Sequence, residues 1–194
     1  MDRRRVVVAG AGLAAVRLSE FLRRRGFDGS IVLVGDEPHL PYDRPPLSKE
    51  ILTGKSRPED ATFKDEQAFA DLDVELRTGC PVLGLDVAGG TVELASGRLP
   101  YDELVVCTGS RPRAHAWRTP PEGVFTLRTV DDAAAIRAEL ERCPTVVVAG
   151  AGFIGAEVAS SARALGLEVT VVEPQPTPMV RAVGSQVGAV VAVH

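Results

Sequence analysis

Two stretches of this chain are nearly identical. Residues 6–15 read VVVAGAGLAA, and residues 146–155 read VVVAGAGFIG. In each, three valines predict a short buried strand, and the glycines predict a sharp turn into a helix. This is the Gly-rich turn of a dinucleotide-binding βαβ unit, where a pyrophosphate meets free N–H groups at the positive end of a helix. Gly10 and Gly150 permit the tight turn. Gly12 and Gly152 carry no Cβ, so a phosphate can approach the backbone. The third position is Gly155 in the second copy and Ala14 or Ala15 in the first, small enough for helix to close on strand.

One such turn constrains little; two in the same register constrain the whole chain. The copies stand 140 residues apart, Gly10 against Gly150. Gly26 and Gly166 each fall 16 residues later and end the predicted helices. Strands are expected at Ile31–Val34 and Val169–Val172. An acid follows each, Asp36 (with Glu37) and Glu173, at the distance where a ribose hydroxyl is held. The pattern implies two dinucleotides. Two tight turns in an ordinary α/β sheet would leave both acids without a reason. The fold class expected is α/β, with two Rossmann-like βαβ units.

The 194 residues allow one large or two small domains. A hydrophobic content of 45% suffices for a core, and a net charge of −4 gives no sign of a nucleic-acid partner. Aromatics at 5% offer no base-stacking platform. The basic start, MDRRR, reads as a solvated N-terminus. The apolar run after it is too short to span a membrane and shows no cleavage site, so no membrane partner is expected. Cys80, Cys107 and Cys143 lie far apart, with no metal spacing. They suggest reduced thiols in the cytoplasm. His39 and His115 have no second ligand at metal spacing, so no metal is expected.

Along the chain, the first helix is expected over Leu13–Arg25, with Val16, Leu18, Phe21 and Leu22 on its apolar side. Residues 35–55 form a Pro-rich connection with one short helix, Leu47–Leu52. Phe63–Leu72 is expected to be helical and Val74–Arg77 a strand. Between Pro81 and Pro100 three short extended runs, parted by Gly89-Gly90 and Ser96-Gly97, predict an inserted antiparallel meander. Glu103–Cys107 is a further buried strand, 112–123 a Pro-rich linker holding Trp117, and Val124–Leu127 is extended. A helix follows from Asp131 to about Arg142. The domains expected are 1–112 and 113–194.

Four stretches together identify a resemblance: PYDRPPLSK at 41–49, GSRPR at 109–113, LRTVDDA at 127–133 and GAGFIGAEVA at 150–159. They occur in the order found in the FAD-dependent, NADH-linked ferredoxin and rubredoxin reductases of the putidaredoxin reductase type. Those enzymes serve Rieske oxygenases and cytochromes P450. The resemblance spans the chain and implies roughly half of such an enzyme, with the second nucleotide unit incomplete at its C-terminus. It implies an oxidoreductase in which NADH reduces FAD and electrons pass to a ferredoxin or rubredoxin.

By the same resemblance, Gly10, Gly12, Leu13 and Ala14 lie near the FAD pyrophosphate, and Asp36 or Glu37 holds its ribose. Arg44 and Lys49 lie near the flavin and its phosphates. Val82 is the backbone partner of adenine, Thr108 and Gly109 sit at the crossover, and Arg128 lies on the ribityl–phosphate side. NADH lies over Gly150, Gly152, Phe153, Ile154 and Gly155, with Glu173 on its ribose. A carboxylate at 173 would accept bonds from ribose hydroxyls and repel the 2′-phosphate of NADPH; Pro174 and Gln175 supply no arginine to reverse this.

Lys49 and Glu157 carry the catalytic expectation. In related flavoproteins a lysine beside the flavin pairs with such a glutamate near the nicotinamide, and its charge favours hydride transfer. The alternatives are a solvated lysine and a glutamate placed in the first helical turn for its dipole. If the pair forms, it should depress the acid's pKa. Ser48 is read as a local hydrogen-bonding residue of the PPLSK turn. Two other functions stay open. A flavoprotein disulfide reductase would need a reactive thiol, yet 40–52 has no cysteine and Ser48 stands where a single-cysteine relative could carry one. The chain could also be a non-catalytic nucleotide-binding fragment.

Overall fold

The computed structural model describes residues 4–113 and 122–192. His115, Trp117 and most of the expected linker lie outside the described residues. The chain forms two compact units. One comprises Met1–Asp43 and Thr62–Arg111, the other Arg44–Ala61 and Pro112–His194.

In the first unit β1 (Arg5–Ala9) turns into α1 (Leu13–Arg24) and returns as β2 (Ser30–Val34). Then come α2 (Glu66–Asp71), β3 (Val74–Arg77), the antiparallel strands β4 (Val82–Asp86), β5 (Thr91–Leu94) and β6 (Gly97–Pro100), and β7 (Glu103–Val106). A parallel sheet has the order β3-β2-β1-β7, and β4-β5-β6 form a separate meander. Val6, Val8, Ile31 and Leu33 pack with Ala15, Val16 and Phe69 on the helical side. Val7, Val32 and Val34 meet Val92, Leu94 and Leu99 of the meander. Both faces of the central strands β1 and β2 are covered, which is why these two read as unbroken apolar runs while the edge strands β3 and β7 do not.

In the second unit β8 (Thr145–Ala149), α4 (Phe153–Ala164) and β9 (Glu168–Val172) repeat the βαβ pattern. Ala149 stands opposite Val172 as Ala9 stands opposite Val34. The N–H groups of Gly10 and Gly150 donate to the carbonyls of Val34 and Val172, each at 2.7 Å. Both helices close with the same two bonds: Gly26 to Arg23 and Phe27 to Leu22, matched by Gly166 to Arg163 and Leu167 to Ala162. α3 (Val130–Leu140) starts from a capping box of Thr129 and Asp132. α5 (Val180–Val191) bends at Gly184.

Several expectations are corrected. No helix covers Leu47–Leu52. Pro45–Ser48 form one 3-10 turn, followed by hydrogen-bonded turns to Gly54. Two prolines in succession lack the N–H groups and preset the φ for so tight an entry. This turn packs against α3 and α4. The helix expected over Phe63–Leu72 begins only at Glu66, because the Asp65 carboxylate accepts from the Ala68 N–H at 2.8 Å and caps it there. Phe21 is exposed, with the Arg25 guanidinium 5.1 Å from its ring. The stripe that packs inward is Ala15, Val16, Leu18, Ser19 and Leu22, and position 21 falls off it. Val124–Leu127 joins no strand pair among the described residues.

Candidate functional site

At the first Gly-rich turn, Gly10 has φ +111°, and a Cβ there would sit 2.1 Å from the Cys107 carbonyl oxygen. Conformation and space both demand glycine, and the demand ties the turn to the end of β7, where exposed Thr108 and Gly109 follow. Around Gly12 nothing lies within 4 Å of a would-be Cβ. The helix it opens has no side-chain cap and no acid in its first turn, so side chains leave its N–H groups to an anion. Leu13 and Ala14 face outward while Ala15 is fully buried, so Ala15 is the third packing position. Asp36 is exposed, and Glu37 accepts from the Tyr42 hydroxyl. Val82 turns its side chain toward the meander core from β4, an edge strand whose outer backbone is unpaired in that sheet.

At the second turn, Gly150 has φ +105° with open space beside it, and Gly152 is equally open. A Cβ at Gly155 would lie 2.0 Å from the Gly150 carbonyl oxygen, so only glycine lets α4 close on the turn. Phe153 and Ile154 are exposed. The Glu173 carboxylate accepts from the Ala151 N–H at 2.7 Å and the Gln175 N–H at 3.0 Å. Those two bonds, with the charge of Arg181, hold its carboxyl below the usual range. Strand register separates the two acids. Glu173 directly follows Val172, whereas Gly35 follows Val34 and Asp36 comes one residue later. A Cβ at Gly35 would press on Ala11 at 2.7 Å, so that place has no room for a side chain.

Lys49 and Glu157, 108 residues apart in sequence, both belong to the second unit. Lys49 Nζ lies 2.8 Å from Glu157 Oε1, and the two side chains are 40% and 34% exposed. Nζ also donates to the Pro45 carbonyl at 3.1 Å. The Lys49 ammonium, followed by the Ser48 hydroxyl, holds the Glu157 carboxyl below the usual range. Glu157 is not in the first turn of α4, which starts at Phe153 and has no acid there. The helix dipole therefore does not account for it; the lysine does.

Beside this pair is a hollow of about 250 Å³ lined by Arg44, Lys49, Arg128, Phe153, Ile154 and Glu157, among others. Asp132, in the LRTVDDA stretch, accepts from the N–H groups of Arg128 and Thr129. That fixes the Arg128 backbone, whose carbonyl takes a 2.6 Å bond from Arg44. Arg128 Nε is buried and has no partner among the described residues, an orphan donor suited to an anionic or carbonyl ligand. Ser48 is not merely local: beyond a 3.4 Å contact to the Pro45 carbonyl, it donates to Glu157 Oε2 at 2.5 Å. This long-range bond carries no spacing signal in the sequence, whereas Thr129-x-x-Asp132 has the spacing of a capping box. His39 stacks edge-on to Tyr42, and no metal-binding cluster of His, Cys, Asp or Glu occurs among the described residues.

Two βαβ units with matching Gly-rich turns and a lysine–glutamate pair beside the second define a two-dinucleotide oxidoreductase fold. The chain belongs to the pyridine nucleotide-disulphide oxidoreductase family, whose profile matches residues 4–194. It is 42% identical over 184 residues to rhodocoxin reductase of Rhodococcus erythropolis, covering 93% of this chain and 43% of that protein. It is 42% identical over 194 residues to the ferredoxin–NAD(+) reductase component of the p-cumate 2,3-dioxygenase system of Pseudomonas putida, covering 97% of this chain and 47% of that one. A solved covalent putidaredoxin reductase–putidaredoxin complex has a chain that superposes with a TM-score of 0.90 at 35% identity, covering 96% of this chain and 46% of that chain. The chain spans about half the length of the curated relatives it matches.

Proposed function

We propose that this chain carries the dinucleotide chemistry of an FAD-dependent NADH:ferredoxin or rubredoxin reductase that feeds an oxygenase or a cytochrome P450 in the cytoplasm. Residues 1–112 serve FAD and residues 113–194 serve NADH. The observation that carries the reading is the Lys49–Glu157 ion pair at a hollow bordered by Phe153 and Ile154 of the second Gly-rich turn.

FAD, when bound, supplies the step between a two-electron hydride donor and one-electron acceptors. The open faces at Gly12 and Gly152 and the uncapped starts of α1 and α4 fit two pyrophosphates. Asp36 or Glu37 would hold the FAD ribose, and Val82, Thr108 and Gly109 would line its adenine and crossover contacts. Arg128, through its unpartnered Nε, and Arg44 beside it would meet phosphate or ribityl oxygens. Glu173 would accept from the NADH ribose hydroxyls. Lys49, held by Glu157, would place a fixed cation where negative charge grows during hydride transfer.

The test is anaerobic. The purified chain is mixed with FAD, and bound flavin is read from its visible band. NADH is then added and bleaching is followed. Retained flavin that NADH bleaches, more slowly in Lys49→Met, is the expected result. No NADH-induced bleaching with FAD kept in excess would reject the reading.

A further inference from the structure

The three buried polar side chains among those described are Ser19, Ser48 and Ser161. Ser19 donates to the Ala15 carbonyl one turn back in α1 at 2.9 Å, which accounts for it. The other two belong together. Ser48 is 4% exposed and Ser161 7%. Ser161 Oγ donates to the Ser48 carbonyl at 2.7 Å, and Ser48 Oγ donates to Glu157 Oε2 at 2.5 Å. Glu157 and Ser161 are one turn apart and share a face of α4. They grip residue 48 at two points, its carbonyl and its hydroxyl.

We propose that Ser48 is a positioning residue: its hydroxyl holds the Glu157 carboxylate so that Oε1 faces Lys49, and Ser161 holds the Ser48 backbone so that this hydroxyl is aimed. A half-exposed ion pair between two long side chains holds its own geometry poorly, because solvent screens it and both side chains lose rotamer freedom. A short bond from a buried hydroxyl to the second carboxylate oxygen removes that freedom on the glutamate side. Lys49 is held on its own side by the Pro45 carbonyl. The outcome is a cation with one position. Its place in turnover rests on the function proposed above; the positioning itself does not.

The test uses the 194-residue chain labelled with 13C and 15N, without nucleotide. The Glu157 side-chain carboxyl is followed through the acid range, its resonance assigned by its loss in Glu157→Gln. Other charged groups near Glu157 are Glu50 and Lys55 of the 49–55 turns and Arg44 and Arg128 of the hollow, and these stay unchanged throughout. The Glu157 midpoint should rise in Ser48→Ala and in the isosteric Ser48→Cys, whose thiol is a weak donor. It should return toward the native value in Ser48→Thr and rise less in Ser161→Ala. The titration of Glu20, set by Lys64 and Arg17, should not move. A native-like amide spectrum with an unchanged Glu157 midpoint in Ser48→Ala or Ser48→Cys would overturn the proposal. The cysteine variant decides it if the alanine variant does not fold. Adding NADH to the native chain is a separate readout: no shift there would reject the reductase reading and leave the Ser48 result standing.

Discussion

Glu157 carries a bond on each carboxylate oxygen, from Lys49 and from Ser48, and that arrangement sets its acid–base behaviour. Its folded pKa lies below the ordinary 4.5, so its contribution to stability is complete above that value and is lost as pH falls through the folded value. Glu173 has the same sign for a different reason, its two backbone N–H donors. In Lys49→Met, the larger of the causes acting on Glu157 is removed, and carboxyl 13C titration should show its midpoint rise toward 4.5. In FAD-loaded protein the same change should slow flavin reduction by NADH roughly tenfold or more, by analogy with the loss of one fixed electrostatic stabiliser; stopped-flow absorbance measures it. Glu173 also pins Ala151, so Glu173→Ala should loosen the turn as well as alter selectivity. Glu173→Gln keeps an acceptor for Ala151 and removes only the charge. Its NADPH affinity should rise relative to NADH, as measured by titrating quenched protein or cofactor fluorescence. A native chain that already prefers NADPH would contradict the role given to Glu173.

Among the elements, the two Gly-rich turns differ in what their glycines resist. Gly10 combines φ +111° with a backbone oxygen 2.1 Å from a would-be Cβ, while Gly150 has φ +105° and open space. Gly150→Ala should lose only about 1–2 kcal/mol through backbone strain. Gly10→Ala should lose more, about 3 kcal/mol or above, because β7 must also move. Gly12 has φ −85°, which alanine adopts freely, and no neighbour to crowd. Gly12→Ala should keep its stability within about 0.5 kcal/mol yet weaken FAD binding, because the new methyl occupies the phosphate's approach. Urea denaturation ranks the three, and flavin retention separates Gly12→Ala from the others. The 3-10 turn at Pro45–Ser48 belongs to this scale too. Its hydroxyl and lysine are useful only because α4 supplies Glu157 and Ser161 one turn apart.

For the molecule as a whole, apolar surface decides behaviour in solution. Val147 is 68% exposed and Val190 63%, and Val171, Val172 and Val187 are exposed as well. Leu83, Leu85 and Val87 add a second exposed row on or beside the edge strand β4. Unpaired edges and clustered apolar surface recruit partners. The 194-residue chain should therefore self-associate with rising concentration and retain FAD weakly. Sedimentation velocity over a range of concentrations checks the first, and a monodisperse monomer saturated with flavin would contradict both.

The residues alone determined the repeated βαβ pattern, the meander and the positions of the turn glycines. All are local: valine runs, glycines at fixed offsets and hairpin pairs act within about ten residues of themselves. The family resemblance pointed to Lys49 and Glu157 as partners. Tertiary structure alone decided what surrounds them. Ser48 looked like a turn residue because a hydroxyl three residues from a carbonyl ordinarily bonds locally. Only the packing of Pro45–Ser48 on α4 brings it to a carboxylate 109 residues away. The one-residue offset between Glu173 and Asp36 is legible in the expected strand ends; only the packing shows that Ala11 leaves no room for a side chain at Gly35. The helix expected over Leu47–Leu52 gives way for a related reason: apolar spacing fits a helix, but two prolines and buried neighbours impose a tighter turn at Pro45–Ser48. Short-range sterics are written in the chain, whereas long-range hydrogen bonds depend on which elements the core forces together.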